Sequence, residues 1–167
     1  MQQDLFQEWL DNNIEHYALK DKSYKNYYDK HHKKYDGQVN TDLATVGDAV
    51  LKICLCKILF EQLEKGSKFS EIKKEYETDK ILVKSIAKNY DLLKYLKYDK
   101  NDSNKPNDYD YSKEHSKPYK YIATAVEACL GAIYLEDCQK DNSLERVLKI
   151  VEKWKNIIDD YKKLSIQ

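Results

Sequence analysis

Asp48 and Glu127 are carboxylates set in otherwise apolar helical stretches. In TDLATVGDAVLKICL, Asp48 is the one charged residue between Leu43 and Leu51; in YKYIATAVEACLGAIYLEDC, Glu127 is the one between Tyr121 and Leu135. A helix apolar on nearly all sides is usually buried on nearly all sides. Each acid is therefore expected in or beside the core, where a lone carboxylate is costly unless it is paired or bound to a metal. Each also has a glycine close by: Gly47 just before Asp48, and Gly131 one turn after Glu127. Glycine inside a helix costs about 1 kcal/mol relative to alanine, and a common return is close approach of another backbone. The two helices are expected to cross tightly, with Asp48 and Glu127 meeting near the crossing. Two chemistries are open there. Converging carboxylates repel, and a hard divalent cation such as Mg²⁺ relieves the repulsion while keeping several waters; an open site of that kind suits phosphodiester hydrolysis. Alternatively, the acids are matched by Lys52, Lys120 or a tyrosine hydroxyl, and the pair is structural.

The elements that must position these residues are helices. Leu5, Phe6, Trp9, Leu10 and Ile14 form a helical stripe with Asp4 as its N-cap. Residues 21–40 are polar and tyrosine-rich and end in a turn at Asp36-Gly37; the adjacent His31 and His32 there read as a solvated face or as a metal or RNA contact. A long helix runs from Thr41 to about Leu63, capped by Asn40 or Thr41 and ended by Gly66. Two or three shorter helices follow, the first capped by Ser70. A polar loop at about 97–119 holds both prolines. After the Glu127 helix comes an amphipathic helix capped by Asn142 or Ser143. Its stripe is Leu144, Val147, Leu148, Val151, Trp154, Ile157, Ile158 and Tyr161. With no strand pattern and no internal repeat, the expected class is all-α. The expected organisation is an N-terminal helix and polar segment over 1–34, then one helical domain over 35–167.

Composition narrows the function. Lys plus Arg and Asp plus Glu are 29 each, so the bulk charge lends no support to general polyanion binding, although a local basic face or a bridging metal can do the same work. Cys54 and Cys56, two apart on a helix, point to different faces and do not make a zinc pair; buried free thiols are expected for Cys54, Cys56, Cys129 and Cys138. The start MQQDLFQEWLDNN is too acidic and polar for a signal peptide, and no apolar run reaches the ~18 residues of a membrane span. A soluble cytoplasmic or nuclear protein is expected.

At the two acid-bearing stretches the sequence resembles the ribonuclease III family. LATVGDAVL is similar to the family's first motif at Gly47, Asp48 and Ala49, and ATAVEACLGAIYLE to its second at Glu127 through Leu135. The resemblance covers residues 35 to 165. It implies an all-α, ribonuclease III-like endonuclease domain, usually a two-fold dimer, that cuts double-stranded or structured RNA with Mg²⁺, or Mn²⁺, to leave 5′ phosphates and 3′ hydroxyls. Asp48 and Glu127 match the family's central metal-site acids. Thr41 and Ala44 stand where the first motif usually has glutamates, and Thr124 where an aspartate commonly precedes the second glutamate. Asp42 is a candidate substitute, although it points about 100° away from Thr41. Thr45 replaces an aromatic that often packs across the dimer. This reduced pattern, with no double-stranded-RNA-binding domain expected after the last helix, is similar to the Mini-III branch. RNA contacts then fall to local lysines, with Lys113, Lys117 and Lys120 as candidates. The missing acids also fit a second reading, a non-catalytic scaffold that binds RNA or a protein partner.

Overall fold

The computed structural model describes residues 4–31, 34–63, 68–102, 109–111, 120–140 and 144–165. His32, Gly66, Lys113, Lys117, Asn142 and Ser143 lie outside them. The chain is all-α, as its patterning predicts. Helix α1 spans Leu5–Asn12, α2 Lys22–His31 and α3 Thr41–Gln62. Helix α4 spans Phe69–Glu77, and α5 (Asp79–Ile81) runs on into a π turn over Leu82–Ala87. Helices α6, Lys120–Cys138, and α7, Glu145–Ser165, complete the order. The sole β-type pairing among the described residues is an isolated parallel bridge between Lys20 and Lys97.

Side-chain caps set some helix starts and not others. The Asp4 carboxylate accepts from the Gln7 amide at 3.2 Å, the expected cap of α1. Asn40 precedes α3 but makes no side-chain cap bond, because its backbone is already helical (φ −74°, ψ −5°), unlike that of a capping residue. Ser70 does not cap α4 either. The helix begins at Phe69, whose ring packs against the core, so Ser70 falls inside the first turn.

The centre of the molecule is the crossing of α3 and α6. Helix α6 is buried on nearly all sides from Tyr121 to Ile133, as its composition requires. Helix α3 differs from that expectation. It buries Leu43, Ala44, Gly47, Val50, Leu51, Cys54, Leu55, Ile58 and Leu59, but leaves Ile53 and Phe60 exposed, Phe60 at 79%. Its packing partners α4, α6 and α7 leave the outer face uncovered. Apolar composition specified that α3 would pack, not how many neighbours would surround it.

The N-terminal residues join the same core. The Phe6 ring meets Tyr90 and Trp154 edge-on, with centroids 4.8 and 4.9 Å away. The buried Trp9 indole donates to Glu136 Oε1 at 2.9 Å. Backbone bonds then stitch the chain ahead of α2 to distant segments: Asp21 N to Lys97 O and Lys97 N to Leu19 O, both 2.8 Å, and Asn40 N to Lys20 O at 2.9 Å. Truncating a buried aromatic typically costs about 3–5 kcal/mol. Trp9→Ala is thus expected to lower the urea midpoint of the whole protein in one cooperative transition. A separate early transition confined to residues 1–34 would show instead that these residues fold apart.

The polar segment near 97–119 is not wholly a solvated loop. In its described parts Tyr98, Asp99 and Tyr109 are buried. Tyr98 packs on Tyr121 with ring centroids 5.3 Å apart, and Tyr109 on Tyr111 at 5.0 Å. The absence of aliphatics hid this, because tyrosine supplies a large apolar ring under a polar label.

The cysteines also divide. All four are free thiols; Cys54 and Cys129 are buried as expected, whereas Cys56 is half-buried and Cys138 exposed. Burial pushes the Cys54 thiol up to about 11. In a thiol-reagent titration of the native protein, Cys138 is expected to react at once, and Cys54 and Cys129 only on unfolding.

Candidate active site

Gly47 and Gly131 make the crossing possible. A Cβ on Gly47 would lie 1.7 Å from the Glu127 carbonyl oxygen, and one on Gly131 2.2 Å from that of Leu43. Each glycine thus abuts the backbone of the other helix, as the sequence predicts. The same contact sets Asp48, one residue after Gly47, beside the turn that carries Glu127.

Neither carboxylate is in the deep core. Asp48 sits at the edge of the packed face of α3, its side chain 39% exposed, and accepts from Lys52 Nζ at 2.6 Å one turn on. That bond, ahead of the charges of Asp48, Glu77 and Glu127, holds the Lys52 ammonium above its ordinary range. Glu127 is half-buried. Burial, then the negative charges of Asp48 and Asp79, push its carboxyl up to about 7, against weaker pulls from Lys52 and Lys120. The expected lysine partner is therefore present for Asp48, while Glu127 keeps the electrostatic penalty.

The other residues singled out by sequence fall unevenly. Thr41 and Ala44, seven and four residues before Asp48, stand within roughly 40° of it around the helix. Thr41 is exposed, with its carbonyl accepting from the Thr45 hydroxyl at 3.4 Å, and Ala44 is buried. Asp42 is exposed and roughly 120° from Asp48, so it does not take the place of a missing acid. Thr124, one turn before Glu127, is half-buried, and Lys120, two turns before it, is exposed on the same side of α6. Two nearby acids escaped sequence reasoning. Glu77 pairs with Lys73 at 2.5 Å and adds to the field at Lys52. Asp79 opens α5 and acts on Glu127. Chain position gives no sign of either approach, that of Glu77 to Lys52 or that of Asp79 to Glu127.

Residues 41–137, from the start of α3 to the end of α6, match the Ribonuclease III domain. The chain belongs to the ribonuclease III family. It is 30% identical over 119 residues to a ribonuclease 3 of Pseudomonas putida (strain GB-1), covering 70% of this chain and 48% of that protein. The chain thus spans about half the length of this relative. The fold is similar to the nuclease domain of ribonuclease III from Campylobacter jejuni, with a TM-score of 0.62 and 22% identity over 90% of this chain and 96% of that one. That structure concerns flexibility in a region involved in dimer formation.

Ribonuclease III enzymes generally use a divalent metal, and the donor set here can be tested against one. Among the described residues no group of three or more His, Cys, Asp or Glu side chains is gathered as a ready metal cage. Two neighbouring carboxylates, one of them destabilised in its charged form, nevertheless fit Mg²⁺, which is bound by one or two carboxylates and takes its remaining ligands from water and substrate phosphate. Among the described residues no helix is long and apolar enough to cross a membrane.

Proposed function

We propose that this ribonuclease III family member is a metal-dependent endoribonuclease that cuts double-stranded or structured RNA. The observation that carries the reading is the convergence of Asp48 and Glu127 where two glycines bring α3 and α6 into backbone contact. That arrangement costs helix propensity at two positions and strains one carboxylate electrostatically. Asp48 and Glu127 would hold the cation, Mg²⁺ or Mn²⁺, which when bound stabilises negative charge on the phosphate and supplies a nucleophile from water. Lys52 holds the Asp48 carboxylate at the rim by their ion pair. Exposed Lys120 supplies positive charge near the entering phosphodiester. Water adds to phosphorus as the bond to O3′ breaks. The proton goes to the departing oxygen, leaving a 5′ phosphate and a 3′ hydroxyl. A homodimer is the proposed assembly, and the exposed Ile53 and Phe60 of α3 offer an apolar patch for it.

A second reading, the non-catalytic scaffold, draws on Ala44 and Thr41 where the family has glutamates, and on Lys52 already satisfying Asp48. Incubation of the purified chain with duplex RNA and Mg²⁺ or Mn²⁺, with and without chelator, separates the two. Cleavage that stops with chelator and yields 5′-phosphorylated ends is expected. RNA binding without chelator-sensitive cutting, over several duplexes, would select the scaffold.

A further inference from the structure

Helix α2 carries a face of positive charge that the site above does not use. Its exposed residues are Lys22, Lys25, Asn26, Asp29 and Lys30. They fall at i, i+3, i+4, i+7 and i+8, which is one side of a helix. Among the described residues none of these lysines forms an ion pair, whereas Lys149, Lys153, Lys155 and Lys162 of α7 are each matched by an acid. The one acid of the face, Asp29, accepts from the Tyr35 amide. Residues 20–36 hold six lysines against three aspartates, in a chain whose charges balance.

The other side of α2 fixes it in place. The buried Ser23 hydroxyl donates to Asp21 Oδ1 at 2.6 Å and accepts from the Asp99 amide at 3.0 Å. Tyr24, Tyr28 and Tyr35 meet ring against ring, with centroids 5.4 to 5.9 Å apart. The entry to α2 also lies against the start of α3, where the Asn40 amide donates to Lys20 O at 2.9 Å. Asp48 is eight residues further along α3, about 12 Å of helix.

We infer that the lysine face of α2 binds the phosphodiester backbone of RNA that extends beyond the α3–α6 site. The inference rests on the RNA-directed reading above and adds a grip on the substrate away from the cut. A neutral chain gains no polyanion affinity from bulk charge, so unmatched cations must be gathered locally. Lys22 to Lys30 spans about 12 Å, and a duplex presents phosphates every few ångströms. Lysine meets them as a flexible point charge that needs no fixed geometry. An acidic protein would meet the same charge, but this face holds no aromatic or aliphatic residue, the kind of anchor on which protein interfaces centre.

The test measures binding of a labelled duplex RNA to the full chain in chelator, where metal-dependent cutting does not intrude. The combined variant Lys22→Gln, Lys25→Gln and Lys30→Gln is expected to weaken binding more than about tenfold near ~0.1 M salt. The slope of log affinity against log salt should fall by about three, one for each lysine, with the melting temperature unchanged. The same three positions changed to Arg, which keeps the charge, should bind as the wild type does. Gln at Lys74, Lys88 and Lys163, exposed on other elements, should leave affinity unchanged. Wild-type affinity and salt slope in the α2 Gln variant overturn the inference. Equal weakening by the second Gln set also overturns it, since net charge alone would then explain the loss. So does unchanged RNA binding with lost binding of polyglutamate, which would assign the face to an acidic protein. A wild type that binds the duplex through α2 but never cuts it with Mg²⁺ supports the inference and overturns only the nuclease reading.

Discussion

Gly47→Ala is expected to leave the protein unfolded or unable to fold at 25 °C. The new methyl would meet the Glu127 carbonyl oxygen at 1.7 Å and its carbon at 2.5 Å. Both atoms are backbone within the buried α6, so no side chain can rotate away. The helices would have to separate, opening gaps beside Leu43, Leu51, Leu130 and their neighbours, all buried. Overpacking in a core costs about 1–3 kcal/mol when flexible groups can yield; with two backbones in collision the cost should exceed that range. The gain of about 1 kcal/mol from alanine's helix propensity does not offset it. Against a typical total of about 5–15 kcal/mol the loss is large. Urea denaturation of Gly47→Ala and Gly131→Ala measures it. A wild-type midpoint in either would mean that the helices do not cross at these glycines.

Glu127→Gln and Asp48→Asn are expected to abolish cleavage while the protein stays folded. A bound cation contributes several kcal/mol of charge stabilisation in phosphoryl chemistry. Each 1.36 kcal/mol is tenfold in rate, so loss of a ligand should cost about a thousandfold. Stability should move the other way for Glu127→Gln. Burial and the neighbouring acids raise the Glu127 pKa, so in the metal-free protein its charged form opposes folding. The neutral amide removes that penalty, and the melting temperature in chelator should rise. Asp48→Asn loses only a rim ion pair with Lys52, which is worth at most about 1 kcal/mol. Added Mg²⁺ should stabilise the wild type, since a ligand that binds only the folded state shifts the equilibrium, and should do so less in either variant. Near-wild-type cleavage by either purified variant would refute the two-carboxylate site.

Much of this molecule is determined by sequence alone, because helix formation is local. The 3.6-residue period marks α1 and α7, long apolar runs mark α3 and α6, and the absence of alternating strand patterns marks the all-α class. Asp48 and Glu127 stand out since charge in an apolar helix is anomalous whatever lies around it. Their glycines announce a close crossing because only a neighbouring backbone repays an interior glycine. The motif residues around both acids identify the family. What tertiary structure decided is everything that depends on which elements meet. Burial of α3 on one face only, the aromatic packing of Tyr98 and Tyr109, and the union of Trp9 with Glu136 across the chain all depend on packing partners rather than on periodicity. The same holds at the site. Lys52 as the partner of Asp48 lies one turn along the same helix and was readable. Asp79 was not, since its approach to Glu127 is made by the docking of α5 on α6, two segments separated by some forty residues of chain. A sequence records its own helical neighbours directly, and those brought in by folding only through the packing of the whole core.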